Sequence, residues 1–268
     1  MSGPLLIERK GDAEWVTLNR PDAYNSLSPD MIDALLDYFQ GLYFRHEVRV
    51  VVLRGAGRGF CAGLDLKQRM ASNSPADDQR SSADGLRSQR RISEIVMRMR
   101  RAPQPIVSLI HGGCSGGGFA IALASDIRIA GRSAKMNAAF IRLGISGCDI
   151  GVSYFLPRLV GVTVASELLM TGRYIYADRA LATGLVSEVV EDDELEATGE
   201  TMVADLLNAS PLGLRLTKEC MNFSTDAPSL EAAVAMEDRN QILCAQGPDF
   251  QEGVRAFIEK RPPVYTGT

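Results

Sequence analysis

Phe60-Cys61-Ala62-Gly63-Leu64-Asp65 and Gly112-Gly113-Cys114-Ser115-Gly116-Gly117-Gly118 are the two stretches whose reading decides the fold. An apolar run that reads as a strand precedes each of them, Val50-Val51-Val52-Leu53 in one case and Ile106-Val107-Ser108-Leu109-Ile110 in the other. Each then leads into a segment that reads as helical. Two strand-to-helix turns of this kind can aim backbone N–H groups at a single point. Such a paired donor suits a carbonyl oxygen that gains negative charge during reaction.

Around these turns the chain alternates strand and helix, which predicts an α/β core with crossover connections. Leu5–Lys10 and Glu14–Asn19 read as a hairpin about Lys10-Gly11-Asp12. Ser28-Pro29-Asp30 opens a helix whose apolar positions are Met31, Leu35, Leu36, Phe39, Leu42 and Tyr43. Val48–Arg54 is too apolar for an exposed strand and reads as central. Residues 68–86, rich in Ser, Asp, Gln and Ala, read as a mobile loop that helps shape a pocket. The helix after it carries Ile92, Ile95, Val96 and Met99 on one face. Its arginines, Arg90, Arg91, Arg98, Arg100 and Arg101, read as a solvated face. Asp126–Ala130 is a further strand. From residue 163 onward helices dominate: Thr163–Thr171, Ala177–Thr183, Asp193–Asn208, Pro211–Asn222, Ser229–Cys244 and Pro248–Lys260. This divides the chain into a core, 1–200, and a helical region, 201–268, expected to pack on other subunits and cover the site.

Composition narrows the possibilities. With 46% hydrophobic and 23% charged residues the chain has the make-up of an ordinary globular domain. A net charge of −4 and no basic run argue against nucleic acid. No apolar stretch approaches the roughly 20 residues that span a bilayer, and the N-terminus lacks a basic leader, so no membrane partner is expected. Five cysteines without metal-type spacing suit a reducing cytoplasm, and no metal is expected.

Gly113-Cys114-Ser115-Gly116-Gly117 also satisfies the G-x-S-x-G pattern of serine hydrolases. Only His46 and His111 are present, and neither follows Ser115, so the elbow lacks its base. The glycines do not spell G-x-G-x-x-G, and a Walker lysine is missing. Cys61, Cys114 and Cys148 read as small buried residues, since no histidine stands ready to activate them.

The motifs taken together resemble the enoyl-CoA hydratase/isomerase (crotonase) superfamily. The resemblance rests on Phe60–Leu66, on Thr17-Leu18-Asn19-Arg20-Pro21, and on Gly116-Gly117-Gly118 with Ala124–Ala130. Leu156–Gly161, Thr171-Gly172-Arg173, Ala182–Val186 and Phe257–Tyr265 extend it over nearly the whole chain. It implies a ClpP-like spiral of ββα repeats with a helical C-terminal trimerisation region, as a homotrimer or dimer of trimers. It also implies an acyl-CoA thioester substrate in fatty-acid or related metabolism, with coenzyme A as part of the substrate and no separate cofactor. By transfer, the thioester oxygen would lie between the N–H groups of Ala62 and Gly117. Gly63, Leu64, Asp65, Gly116 and Phe140 would line the substrate. Lys67 and a neighbouring subunit's copy of Lys260 would meet the CoA phosphates.

The chain departs from the family at both hydratase glutamates, whose positions hold Ala120 and Phe140. Neither can move a proton, so two-glutamate water addition is closed to it. Asp149, in Gly147-Cys148-Asp149-Ile150-Gly151, matches the aspartate of some family isomerases, with one extra residue after Gly144. We expect it to be the acid/base, its pKa raised by apolar surroundings; a helix cap starting near Ile150 is the competing role. Double-bond isomerisation is favoured over hydration. Thioester hydrolysis, C–C cleavage and silent acyl-CoA binding remain open, as do acyl length and branching.

Overall fold

The computed structural model describes residues 3–72 and 81–267. Among these, the strands are β1 (Leu5–Lys10), β2 (Ala13–Leu18), β3 (Val50–Gly55), β4 (Ile106–Ile110), β5 (Gly113–Ser115), β6 (Ile127–Gly131), β7 (Lys135–Asn137), β8 (Ile175–Tyr176) and β9 (Glu188–Val190). The helices are α1 (Pro29–Leu42), α2 (Leu66–Ser72), α3 (Ser82–Arg101), α4 (Gly117–Ala124), α5 (Val152–Thr171), α6 (Ala177–Ala182), α7 (Leu195–Leu207), α8 (Pro211–Ser224), α9 (Leu230–Ala245) and α10 (Pro248–Glu259).

β1 and β2 pair antiparallel, Leu5 opposite Leu18. The sheet then continues parallel in the order β2-β3-β4-β6-β9, with β3 inside it as its composition predicts. Alternate side chains serve different layers. Val51 and Leu53 join Val16, Leu18, Ile106 and Ile110 beneath α1, α3 and α4. Val50 and Val52 join Trp15, Val107 and Ile129 against Leu195 and Val203 of α7. Both faces are covered, which is why these strands read as unbroken apolar runs. A second sheet, β5-β7-β8, sits where the chain leaves β4.

Local chemistry sets the helix starts. The Ser28 hydroxyl accepts from Met31 N–H at 3.2 Å, and Pro29 takes the first helical position. Tyr43 falls just past α1 and is exposed, so it leaves the apolar stripe. The described parts of the loop expected over 68–86 are helical at 68–72 and 82–86. Asp65 Oδ1 accepts from Gln68 N–H at 3.0 Å at the start of α2, and Ser81 Oγ accepts from Asp84 N–H at 3.2 Å at the start of α3. These caps outweigh the polar composition. The part of that expectation falling on residues 73–80 lies outside the described residues.

α5 runs back from the expected start at Thr163 to Val152, broken by a non-helical Gly161 (φ 76°, ψ 161°). Its twenty residues are long and apolar enough, by length and composition, to cross a membrane, contrary to the sequence expectation. Val152, Leu156, Ala165, Leu168 and Leu169 are instead buried in the core. The boundary expected after residue 200 falls inside α7, which packs on β3, β4 and β6. α8 is pinned to the core by buried Lys218, whose Nζ donates to Met99 O (3.2 Å) and Gln104 O (2.7 Å) and pairs with Asp126 (2.8 Å). α9 packs on α8 and α10 on α9.

Candidate active site

The two glycine turns are joined by backbone hydrogen bonds. Phe60 N–H donates to His111 O at 2.9 Å, Cys61 N–H to Gly113 O at 3.2 Å, and Ser115 N–H to Cys61 O at 2.9 Å. From below, fully buried Asn25 donates through Nδ2 to the carbonyls of Ala56, Gly59 and Phe60. Asn25 has φ 56°, a left-handed geometry that asparagine tolerates. Sequence reasoning missed this anchor, because nothing local to Asn25 announces contacts more than thirty residues away.

Gly63 is where the turns come closest. A Cβ there would stand 2.7 Å from Ser115 O and 3.0 Å from Gly117 N, and its φ is 88°. Only glycine fits without displacing the facing turn. Leu27 N–H donates to Gly63 O (2.7 Å) and Asp65 N–H to Leu27 O (3.1 Å), a parallel bridge that turns the Leu64 N–H away from Leu27. Among the described residues, Leu64 N–H and Gly117 N–H form no hydrogen bond, and Gly117 opens α4. The helix end adds its positive dipole.

The Ala62 expectation is corrected by this geometry. Its N–H donates to Tyr24 O at 2.9 Å and is committed to holding the turn. The left-handed Gly63 reverses the chain between positions 62 and 64, which leaves Leu64 as the open donor.

Ala120 is fully buried within α4, and Phe140, also buried, sets its ring 3.6 Å from where a Cβ on Gly116 would lie. Both positions are apolar in fact as well as in sequence. Asp149 is half-buried, and Gln89 Nε2 of α3 donates to its Oδ1 at 2.5 Å. α5 begins at Val152 with Gly151 at its cap position, so Asp149 stands two residues ahead of the cap. Its neighbour Ile150 has φ 47°, a conformation costing a β-branched residue about 1–3 kcal/mol. Ile150 Cδ1 lies 3.5 Å from where a Cβ on Gly117 would be. The strained residue thus links the acid's backbone to the donor turn.

Asp65 belongs to the scaffold. Its Oδ2 accepts from Arg20 (2.9 Å) and Ser26 (3.2 Å), and the Gln68 N–H, followed by Arg20, holds its pKa below the usual carboxylate value. Lys67 is exposed on the first turn of α2. Lys260 caps α10, whose packing partner is α9, so within one chain it is not brought to the turns.

His111 Nε2 lies 2.9 Å from Gly57 O, and His46 Nδ1 meets Arg215, so neither ring attends Ser115. Cys61 and Cys114 are buried, and desolvation pushes Cys61 up to about 12 and Cys114 well above its ordinary value. Cys148, expected to be buried, is exposed, although Gly147 and Ile150 on either side of it are buried. Among the described residues no group of His, Cys, Asp or Glu could hold a metal ion.

Comparison with known proteins places this geometry. The Enoyl-CoA hydratase/isomerase pattern matches residues 9–268. The chain belongs to that family. It is 38% identical to the "Probable enoyl-CoA hydratase echA12" of Mycobacterium leprae, over 93% of this chain and 85% of that protein. It is 35% identical to the 1,2-epoxyphenylacetyl-CoA isomerase of Escherichia coli, over 94% of both. The crystal structure of enoyl-CoA hydratase from Bacillus anthracis superposes with a TM-score of 0.91 at 31% identity, covering 99% of this chain and 100% of that one. The fold is therefore the crotonase fold, and the chain is an acyl-CoA enzyme of the hydratase/isomerase type.

Proposed function

We propose that the protein isomerises a double bond in an enoyl-CoA thioester. The thioester oxygen sits between Leu64 N–H and Gly117 N–H, and Asp149 carries the proton. The reading rests on one observation above all: the positions for the hydratase acids hold buried Ala120 and Phe140, while Asp149 directly precedes strained Ile150, whose side chain reaches the donor turn at Gly117. When a carboxylate takes the proton next to the thioester, charge moves onto the carbonyl oxygen. Two preorganised donors stabilise it there, one such donor being worth about 2.7–4 kcal/mol. Returning that proton at the far end of the shifted double bond completes the reaction with no change in mass. Gln89 holds the carboxylate in place.

The finer setting is inferred in the same way. Exposed Phe257 and Ile258 on α10 suit a subunit contact in a trimer or dimer of trimers, which would bring the neighbour's Lys260 to the CoA phosphates alongside Lys67. Five free thiols suit a reducing cytoplasm.

Enoyl-CoA incubated with the protein and followed by mass spectrometry tests the reading. A shifted double bond at unchanged mass supports it. Gain of water would make the protein a hydratase, release of free CoA a hydrolase, and binding without change a silent binder; each of these overturns it.

A further inference from the structure

α3 carries a continuous wall leading away from the acid. Gln89, Ser93, Val96, Met97 and Arg100 recur at helical spacing on one side of it, and the eleven helical steps from first to last span about 16 Å. A cavity of about 500 Å³ opens along this wall from Ile150, with Val96, Met97 and Phe155 as its apolar lining and Arg100 at its far part. A second cavity, of about 640 Å³, shares Arg100, Tyr154, Phe155 and Asn222 with the first and adds Arg128, Arg158 and Lys218. The route therefore begins apolar beside Gly117 and ends cationic.

The charges at that end do not balance within the chain. Asp126 is the carboxylate for Lys218 (2.8 Å) and for Arg100, and it also accepts from Ile106 N–H (2.8 Å). Arg128 is spent on the carbonyls of Leu185, Leu123 and Ser125, and Arg158 on Asp226. Arg100 is held more loosely. Among the described residues its guanidinium makes one hydrogen bond, Nη1 to Asp126 at the long distance of 3.4 Å, and lies 5.7 Å from the Phe155 ring centre. A guanidinium offers five donors in a planar fork matched to a carboxylate. The solvated face expected for the α3 arginines holds for Arg90, Arg91 and Arg101, whereas Arg98 and Arg100 are half-buried.

Resting on the acyl-CoA reading above, we propose that the acyl group ends in a carboxylate. The substrate class is then the mono-CoA thioester of a dicarboxylic acid, its free acid end received by Arg100. The apolar part of the chain lies along Val96, Met97 and Phe155. The nearby cations raise the local potential for the anion, and a carboxylate near Arg100 replaces a weak contact with a two-bond one.

Calorimetric titration with saturated, unreactive ligands tests this separately from turnover. Plain acyl-CoAs and ω-carboxyacyl-CoAs of matched length, from short to long, are compared on the wild type, Arg100→Gln and Arg100→Lys. At one of the lengths the carboxylated ligand should bind about tenfold or more tighter than its plain partner. Arg100→Gln should abolish that preference, and Arg100→Lys should restore part of it. Equal or weaker binding of the carboxylated ligands at every length overturns the proposal while leaving the acyl-CoA reading standing. A preference that survives Arg100→Gln also overturns it. Failure of both ligand series to bind overturns the acyl-CoA reading itself and this proposal with it.

Discussion

Gln89 of α3 donates a 2.5 Å hydrogen bond to Asp149 on the segment leading into α5, tying two elements sixty positions apart in sequence. The bond holds Oδ1 of the carboxylate in place. Asp149→Asn should cut turnover by about 10²–10⁴-fold with saturated acyl-CoA binding retained. Gln89→Met should lower kcat by about tenfold with KM little changed, since it loosens the acid without touching the thioester donors. Steady-state kinetics on both variants, beside calorimetric binding, checks this; full activity in Asp149→Asn would remove the acid from the mechanism.

Gly63→Ala should both destabilise the fold and weaken thioester binding. The new methyl would press on Ser115 O and Gly117 N, in a backbone conformation that alanine adopts at a cost of about 1–3 kcal/mol. A thermal melt and a CoA-thioester titration read the two effects separately.

Lys218→Met removes, from a buried site, the closer of the two cations paired with Asp126 and the hydrogen bonds to the carbonyls of Met99 and Gln104. Breaking such a pair typically costs about 3–5 kcal/mol. Urea unfolding should show that loss, with α8 released earlier than the sheet in hydrogen exchange.

Thiol reactivity should follow burial. Cys61 has its pKa pushed up to about 12 by desolvation, so at pH 8 it stays protonated, and Cys114 behaves likewise. Iodoacetamide on the folded protein should label exposed Cys148 first and reach Cys61 and Cys114 only after unfolding. Peptide mapping over time distinguishes the order.

Asp65 supplies a pH dependence of defined sign. Its folded pKa is lowered, first by the Gln68 N–H, so the folded state binds fewer protons than the unfolded one near the ordinary carboxylate value of 3.8. Stability from this group is present above that value and is lost as pH falls through the lowered pKa. Asp65→Asn should be less stable near neutrality and show a shallower decline in Tm on acidification below about pH 4.

Most of the scaffold was legible from the chain. β1 and β4 fall where their apolar patterns begin and end, and Ser28-Pro29 announces α1, because these signals are local. The motif resemblance singled out Gly63, Gly117 and Asp149 from the sequence alone. What escaped depends on contacts between distant segments. Ala62 and Leu64 flank the same glycine, and only the pairing with Tyr24 and Leu27 reveals which N–H is open. Gln89 and Asn25 act on partners far along the chain, and Arg100 looked like one of five surface arginines until Asp126 and Phe155 came near it.

The three backbone bonds joining the Cys61 and Cys114 turns have an evolutionary consequence. Main-chain groups set the spacing of the Leu64 and Gly117 N–H groups, so mutation can replace the side chains around them without rebuilding that arrangement. The proton carrier is then free to migrate from one element to another over the history of a lineage. Ala120 and Phe140, neither able to carry a proton, are side chains of that exchangeable kind, set on a frame that the main chain holds by itself.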